Sequence, residues 1–420
     1  MKYLKTLLLG LFTLLTHLCF NQVNAPKPQN QENMGQLRVY LDCNYCDHGF
    51  IKQNMKNVTF VRDAKQADVH ILFISQNTGG GGTAEKIQFI GLGIYKKLSD
   101  ILPYTTNANM ADIEKRDLRM KILELGLMRF RLEAGQMNEI NLSINAKETE
   151  GPIEIIDPWN SWVFSMNANG WFSGEETSKT FNYSGGAAAR RITEESKSMV
   201  SGGFKRDQTN YDYDGVKTQS KKKSSWASAQ QVFSMNDHWS YGFFGSAGNS
   251  LFSNYNLYLS GKTGIEFDFF KYSESFNKQA IIAYNIGARY NDYYDTTVFN
   301  QLSENLAFHE VTIGGKVKQN WGNLSSTITY QNYLHDFNLN SVSLWMNVKV
   351  RLFKGFSWRL NGSFNIRQNQ VNIARQNASI EDVLLQQQEL GSNYSYWMNT
   401  GINYSFGSMY NSVVNPRFNI

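Results

Sequence analysis

The sequence predicts an α+β chain: a small periplasmic α/β domain followed by an antiparallel transmembrane β-barrel of about 12 strands in a cell outer membrane. Three observations carry that expectation. Aromatic residues make up 14% of the 420 residues and proline contributes only 6, which favours long uninterrupted strands. The mean hydropathy is below zero and no apolar run beyond the N-terminal one is of bilayer length, which excludes a helical membrane protein. From Trp159 onward, apolar and polar residues alternate with a period of two, the pattern of strands with one apolar and one wet face.

Residues 1–25 read as a secretory signal. Lys2 and Lys5 give a basic start, Leu7 to Phe20 an apolar core, and Val23-Asn24-Ala25 a small-residue exit with cleavage expected after Ala25. A lipoprotein reading would use Cys19, but Leu18 stands where a small residue is wanted. Residues 26–35 are expected to be a linker. The net charge is +5 with Lys and Arg scattered, except in Lys221-Lys222-Lys223, so no face is marked for nucleic acid and none is expected as a partner.

Between 36 and 150 the pattern mixes short apolar runs with helical ones, as in a compact periplasmic α/β domain. Leu37 to Leu41 and Val58 to Val61 read as strands, with Phe50 to Met55 in a short helix between them. Val69 to Ser75 and Ile87 to Gly93 read as a hairpin around Gly79-Gly80-Gly81-Gly82. A longer helix is expected from Met110 to Arg131, with Asn109 as N-cap and Ile113, Leu118, Ile122, Leu125 and Met128 or Arg129 along its apolar stripe.

The barrel is expected over 158–407. Val342, Leu344, Met346, Val348, Val350 and Leu352 form one face of a strand, against Ser343, Trp345, Asn347, Lys349 and Arg351 on the other. Phe356 to Arg367, Leu257 to Phe269 and Ile282 to Tyr290 repeat the arrangement. Roughly twelve such segments, each about 10 to 16 residues long, suit tilted strands in contact with outer-membrane lipid. Tight connections are expected at Thr193 to Ser196, Asn236 to His238, Asn320 to Asn323 and Lys354-Gly355, with a moderate one at Tyr272 to Lys278. Long ones are expected at Asp207 to Ser225, Asn291 to Asn305 and Gln368 to Asn393. Short turns face the periplasm in such barrels, and the preceding domain must share their side.

In the last strand, Asn399, Gly401, Tyr404 and Phe406 have the polar, glycine, aromatic, aromatic spacing of the signal read by the barrel assembly machinery, by strand addition to an exposed edge. The plain alternative is an amphipathic strand ending in an aromatic girdle. Residues 408–420 are expected to form a periplasmic tail.

Asp42-Cys43-Asn44-Tyr45-Cys46-Asp47, Val61-Arg62-Asp63 with Ala67-Asp68-Val69-His70, and the Thr78 to Thr83 glycine tract form one set of motifs. Asp157-Pro158-Trp159-Asn160, Tyr333-Leu334-His335-Asp336-Phe337 and Val413-Val414-Asn415-Pro416-Arg417-Phe418 form another. Together they resemble an uncharacterised family of outer-membrane β-barrel proteins with a short N-terminal α/β domain. The resemblance spans nearly the whole mature chain and implies architecture and location, not a chemistry; Asn419 and Ile420 after Phe418 depart from it.

Cys43 and Cys46 are a candidate disulfide or redox pair, at a strand end before a helix but without the Gly-Pro of thioredoxin-type motifs. With His48 and Asp47 or Asp42 they could form a metal site, but a single Cys pair is a weak signal, and no metal or cofactor is expected. The glycine tract, with Lys86 nearby, lacks the Gly-Lys-Ser/Thr ending of a phosphate loop and reads as a hairpin tip. His335-Asp336, with Asp292 and Asp295 on another loop, is the candidate rim site of a hydrolase, against the plainer reading of a polar rim contact without a nucleophile. Lys262, Glu266, Arg289, Lys316, Lys318, Lys349, Arg351, Arg359 and Arg367 are candidate lumen-lining residues, and their mixed signs favour internal ion pairs over a selective anion path. The expected role is non-enzymatic: a narrow channel or an envelope scaffold, with a periplasmic protein as candidate partner.

Overall fold

The computed structural model describes residues 36–43, 46–136, 157–353, 355–375, 385 and 387–405. The expected signal and linker, the end of the α/β region at 137–150, Phe406 and the tail lie outside them. No helix among the described residues is long and apolar enough to cross a membrane.

The first unit of structure is a five-stranded sheet with two helices. Its elements are β1 (Leu37–Asp42), α1 (His48–Asn54), β2 (Val58–Phe60), β3 (Val69–Asn77), β4 (Thr83–Gly91), β5 (Ser99–Thr106) and α2 (Asp112–Glu133). Strand order is β2-β1-β3-β4-β5, with β1 parallel to β2 and β3, and β3, β4 and β5 antiparallel. The β1-α1-β2 crossover is what a parallel neighbour requires, whereas the two hairpins need only short turns. Val39, Val69, Ile71, Ile87 and Phe89 bury one face of the sheet against Leu123, Leu127 and Phe130 of α2. Arg119 of α2 adds an ion pair to Glu85 of β4 at 2.8 Å, and Tyr104 of β5 donates to the same carboxylate.

Three expectations need correction here. The expected elements leave out β5, which holds Pro103; as the sheet edge, β5 has a side that needs no amide donor. Helix α2 is capped at Ala111, not Asn109, and Glu114 Oε2 accepts the Ala111 N–H at 2.9 Å. Its buried stripe is Met120, Leu123, Leu127 and Phe130, while Ile113 and Leu125 stay more than half exposed. Gly126 decides this rotation: a Cβ there would lie 2.1 Å from the Phe89 ring, so only a bare backbone can rest on that ring.

The second unit is a twelve-stranded antiparallel meander, as the alternation predicts. Its strands are β6 (Trp162–Gly174), β7 (Ser178–Ile192), β8 (Ser196–Tyr213), β9 (Val216–Ser234), β10 (Trp239–Ser250), β11 (Tyr255–Asp268), β12 (Lys278–Tyr293), β13 (Ser303–Gln319), β14 (Gly322–Tyr333), β15 (Asp336–Phe353), β16 (Phe356–Arg367) and β17 (Tyr394–Tyr404). Each pairs with its sequence neighbours, and β6 and β17 stand at the ends of the order. One face is apolar and exposed, with Met166 88% and Ile402 69% accessible. Such a face is costly in water and suits a hydrocarbon surround.

The segment Asp207 to Ser225 is not the long loop expected. β8 and β9 continue as a ribbon through the pairs Asp207↔Lys222 and Tyr213↔Val216 to a two-residue turn at Asp214-Gly215. Both turn residues have positive φ, 49° and 80°, the conformation that Asp-Gly serves in tight hairpins. With polar residues on both faces, the ribbon gave no apolar alternation to follow. The longest connection is 368–393, and 269–277 and 294–302 are nine residues each.

The sheet is curled. Loop 368–393, between β16 and β17, accepts a hydrogen bond from Ser220 Oγ of β9 at Leu385 O (3.1 Å), and Glu389 N donates to Phe252 O at 2.9 Å. Asn254, buried, donates to Asn372 O at 3.0 Å and Asp295 O at 2.9 Å. Val371 packs on Leu306, Phe308 and Tyr333. At the opposite end, the small domain meets strand ends from β7 to β17: Gly79 rests on Ile192, Lys86 lies 4.1 Å from the Phe276 ring centroid, and Arg62 bonds Ser405 at 3.2 Å.

Replacing Gly126 with Ala gives a definite outcome. The added methyl must displace Phe89 or α2, and overpacking of about 1–3 kcal/mol outweighs the gain of roughly 1 kcal/mol in helix propensity. Hydrogen exchange of the α2 amides is expected to accelerate. Unchanged protection would show that Gly126 does not set the helix seat.

Candidate lumen and junction site

Period two and the register put every expected lumen residue on one face. Lys262 of β11 reaches past β12 to Glu310 of β13, Nζ to Oε1 2.8 Å, which a side chain on the other face could not do. The same parity holds for Glu266, Arg289, Lys316, Lys318, Lys349, Arg351, Arg359 and Arg367 along the ladders.

Protein groups take up most of these charges. Asn285 shares Glu310 with Lys262 at 3.1 Å. Tyr272 donates to Glu266 at 3.4 Å. Arg289 donates to Asn291 at 2.7 Å and lies over the Tyr255 and Tyr258 rings, 4.7 and 5.0 Å from their centroids. Arg367 stands 4.0 Å from Glu389 of the long loop. Lys318 donates to the Phe73 carbonyl of β3.

The strongest of these links crosses between the two units of structure. Arg351, near the end of β15, forms an ion pair with Asp42 Oδ1 at the end of β1, and its guanidinium lies over the Tyr40 ring. The other carboxylate oxygen faces His70 Nε2 at 3.2 Å, and His70 is almost wholly buried. Burial pushes the Asp42 carboxyl up, but hydrogen bonds from His70 and Arg351, with their charges, more than reverse this and hold it at about 2. Nearby, Asp63 Oδ2 accepts the Gly355 N–H at 2.5 Å. A cavity of about 570 Å³ lies between these groups.

Sequence reasoning treated Asp42 only as an alternative metal ligand and missed Asp63, His70 and Glu310 as lumen or junction groups. A signal existed for two of them. Tyr40 and His70 are direct partners on parallel strands, and the alternation of β1 and β3 already places Asp42 beside them; what could not be read was which strand of the distant sheet would meet them.

The other candidates fall elsewhere. Cys43 and Cys46 are joined in a disulfide, Cα to Cα 5.7 Å, so neither sulfur is a thiolate free to attack or to ligate. His48 Nε2 bonds the Cys43 carbonyl at 2.8 Å, and among the described residues no three His, Cys, Asp or Glu side chains group closely enough to hold a metal. In the glycine tract, Thr78 N and Gly81 N are taken by Gly82 O and Thr78 O. Asp336 accepts from Asn338 rather than His335, and Asp292 accepts from Asn256. Asn399 and Gly401 share the lumen face of β17, while Tyr404, on the other face, sits 6.1 Å from Phe356 between ring centroids.

No protein-family model and no curated protein matches the chain. Among solved structures, the chain is similar to the NanC porin in its rhombohedral crystal form, at 8% identity and a TM-score of 0.27 over 57% of this chain and 99% of that one. It is also similar to the translocator domain of the autotransporter NalP from Neisseria meningitidis, at 10% identity and a TM-score of 0.26 over 58% and 87%. Likenesses this remote carry no argument; the fold rests on the strand pairing itself.

A carboxyl held below its unfolded value stabilises the native state fully above about pH 4 and loses that contribution as pH falls toward 2. The lost contribution is ~2 kcal/mol. Thermal unfolding from pH 5 to 2 is expected to show this loss in the wild type and not in Asp42→Asn, which lacks it throughout. Parallel profiles for the two proteins would remove Asp42 from the acid response.

Proposed function

We propose that the chain is an outer-membrane β-barrel protein whose lumen is closed at rest, and that it acts as an envelope scaffold holding its α/β domain at the periplasmic face. The observation that carries this reading is the fastening of that domain onto strand ends by Asp42–Arg351, Asp63–Gly355, Phe73–Lys318 and Arg62–Ser405. Those ends are joined by connections of at most nine residues, whereas the far end carries the longest one, 368–393, and long loops face outward in barrels of this class. At the far end, Val371 of the connection after β16 packs on lumen-facing Leu306, Phe308 and Tyr333, and Asn372 bonds the Ser253 carbonyl at 3.1 Å, contacts that suit a second closure there.

Paired lumen charges support the same reading, because an ion path needs groups that remain available to the ion. The apolar outer face suits outer-membrane lipid, and the edge position of β17 suits strand addition during assembly. The docked domain offers its outward surface to a periplasmic protein. Asp336 accepts from Asn338 rather than from His335, and Cys43 and Cys46 are joined in a disulfide, so this reading assigns no catalytic step. A gated channel is the second reading, favoured by the fact that both closures are separate elements rather than side chains of the wall.

The folded full-length protein is expected to be heat-modifiable on gels and silent in planar bilayers. Two closures in series predict that Arg351→Glu alone, or replacement of 369–392 by a short turn alone, also stays silent, and that the combination conducts. Steady conductance in the wild type would overturn the closed-lumen scaffold.

A further inference from the structure

We propose that the cavity between β1, the Asp63 turn and the ends of β15 and β16 binds a phosphate-bearing anion. Its volume, about 570 Å³, falls in the range of small-ligand sites. Among the described residues, Arg62, Lys65, Lys349, Arg351 and Arg359 line it against two carboxylates, Asp42 and Asp63. Both carboxylates are already used on both oxygens. Asp42 serves Arg351 and His70; Asp63 accepts from Lys65 N at 2.8 Å and Gly355 N at 2.5 Å.

Among the described residues, no carboxylate in the cavity is therefore left for Arg359. Its guanidinium makes no hydrogen bond or ion pair among the described residues, and the side chain is exposed into the site. Lys349 is its direct cross-strand partner, so two cations stand side by side on the cavity wall. On the other side its partner is Gly401, where an added Cβ would find its nearest neighbour, Arg359 Nη2, only at 3.9 Å. Room is thus kept beside a planar fork of donors, the geometry that matches phosphate oxygens two at a time.

The same cavity is walled by Trp321, Phe353 and Phe356. Rim aromatics in membrane barrels sit at headgroup level, so the phosphate can come from an anionic lipid of the inner leaflet or from a soluble ester. The lipid source rests on the outer-membrane reading; the phosphate site does not.

The test uses the folded full-length protein in dodecyl maltoside, with heat-modifiable mobility as the check that each variant folds. Inorganic phosphate is titrated by calorimetry, and phosphatidylglycerol is added to the micelles in a second series. Binding of phosphate, weakened at least ten-fold in Arg359→Gln and partly restored in Arg359→Lys, supports the site. Phosphatidylglycerol that competes with phosphate and depends equally on Arg359 assigns the lipid source; phosphate binding without lipid competition assigns the soluble one. Lys278→Gln, remote from the cavity, is expected to bind as the wild type does. Absence of binding by both probes, or equal binding by Arg359→Gln, overturns the proposal.

Discussion

Asp42 closes a strand of one sheet and neutralises an arginine belonging to another, and much of the molecule is organised around that contact. A buried carboxylate with a single cation beside it would be a poor bargain, because desolvation rivals the Coulomb gain. Here His70 takes the second oxygen and Tyr40 covers the guanidinium, so no charged atom of the pair is left facing apolar surface. The contact fixes β1 over the end of β15, and Asp63 and Phe73 then meet Gly355 and Lys318. Electrostatic satisfaction at one point thereby orients a whole domain.

The inner face of the large sheet obeys the same constraint. Charged side chains there cannot be scattered freely, since each must find a partner or water. Lys262 and Glu310 meet two strands apart, Arg289 rests on two tyrosines, and the loop from β16 brings Glu389 toward Arg367. The pattern is of a lumen whose polarity is largely answered from within, while Arg359 and Lys316 have no side-chain hydrogen bond or ion pair among the described residues.

Much of this was legible in the chain. Period-two alternation predicted about twelve strands and the faces of those at 257–269, 282–290, 342–352 and 356–367, because one face of each meets an apolar surround and the other does not. Where that contrast disappears, legibility goes with it: the polar β8–β9 ribbon reads as a loop until Asp214-Gly215 is recognised as its turn. In α2 two apolar stripes compete, and the seat of Phe89 against Gly126 chooses between them through a contact no local pattern contains. The junction was hidden for a related reason. Asp42 and Asp63 are ordinary residues in their own segments, and the groups they meet across the junction lie on strands hundreds of positions away.

Those separations bear on the order of events in assembly. Asp42 and Arg351 are 309 positions apart, Asp63 and Gly355 292, and Arg62 and Ser405 343. The small domain precedes all these partners in the chain, so its contacts can form only once the ends of β15, β16 and β17 are in place, and docking depends on a completed sheet.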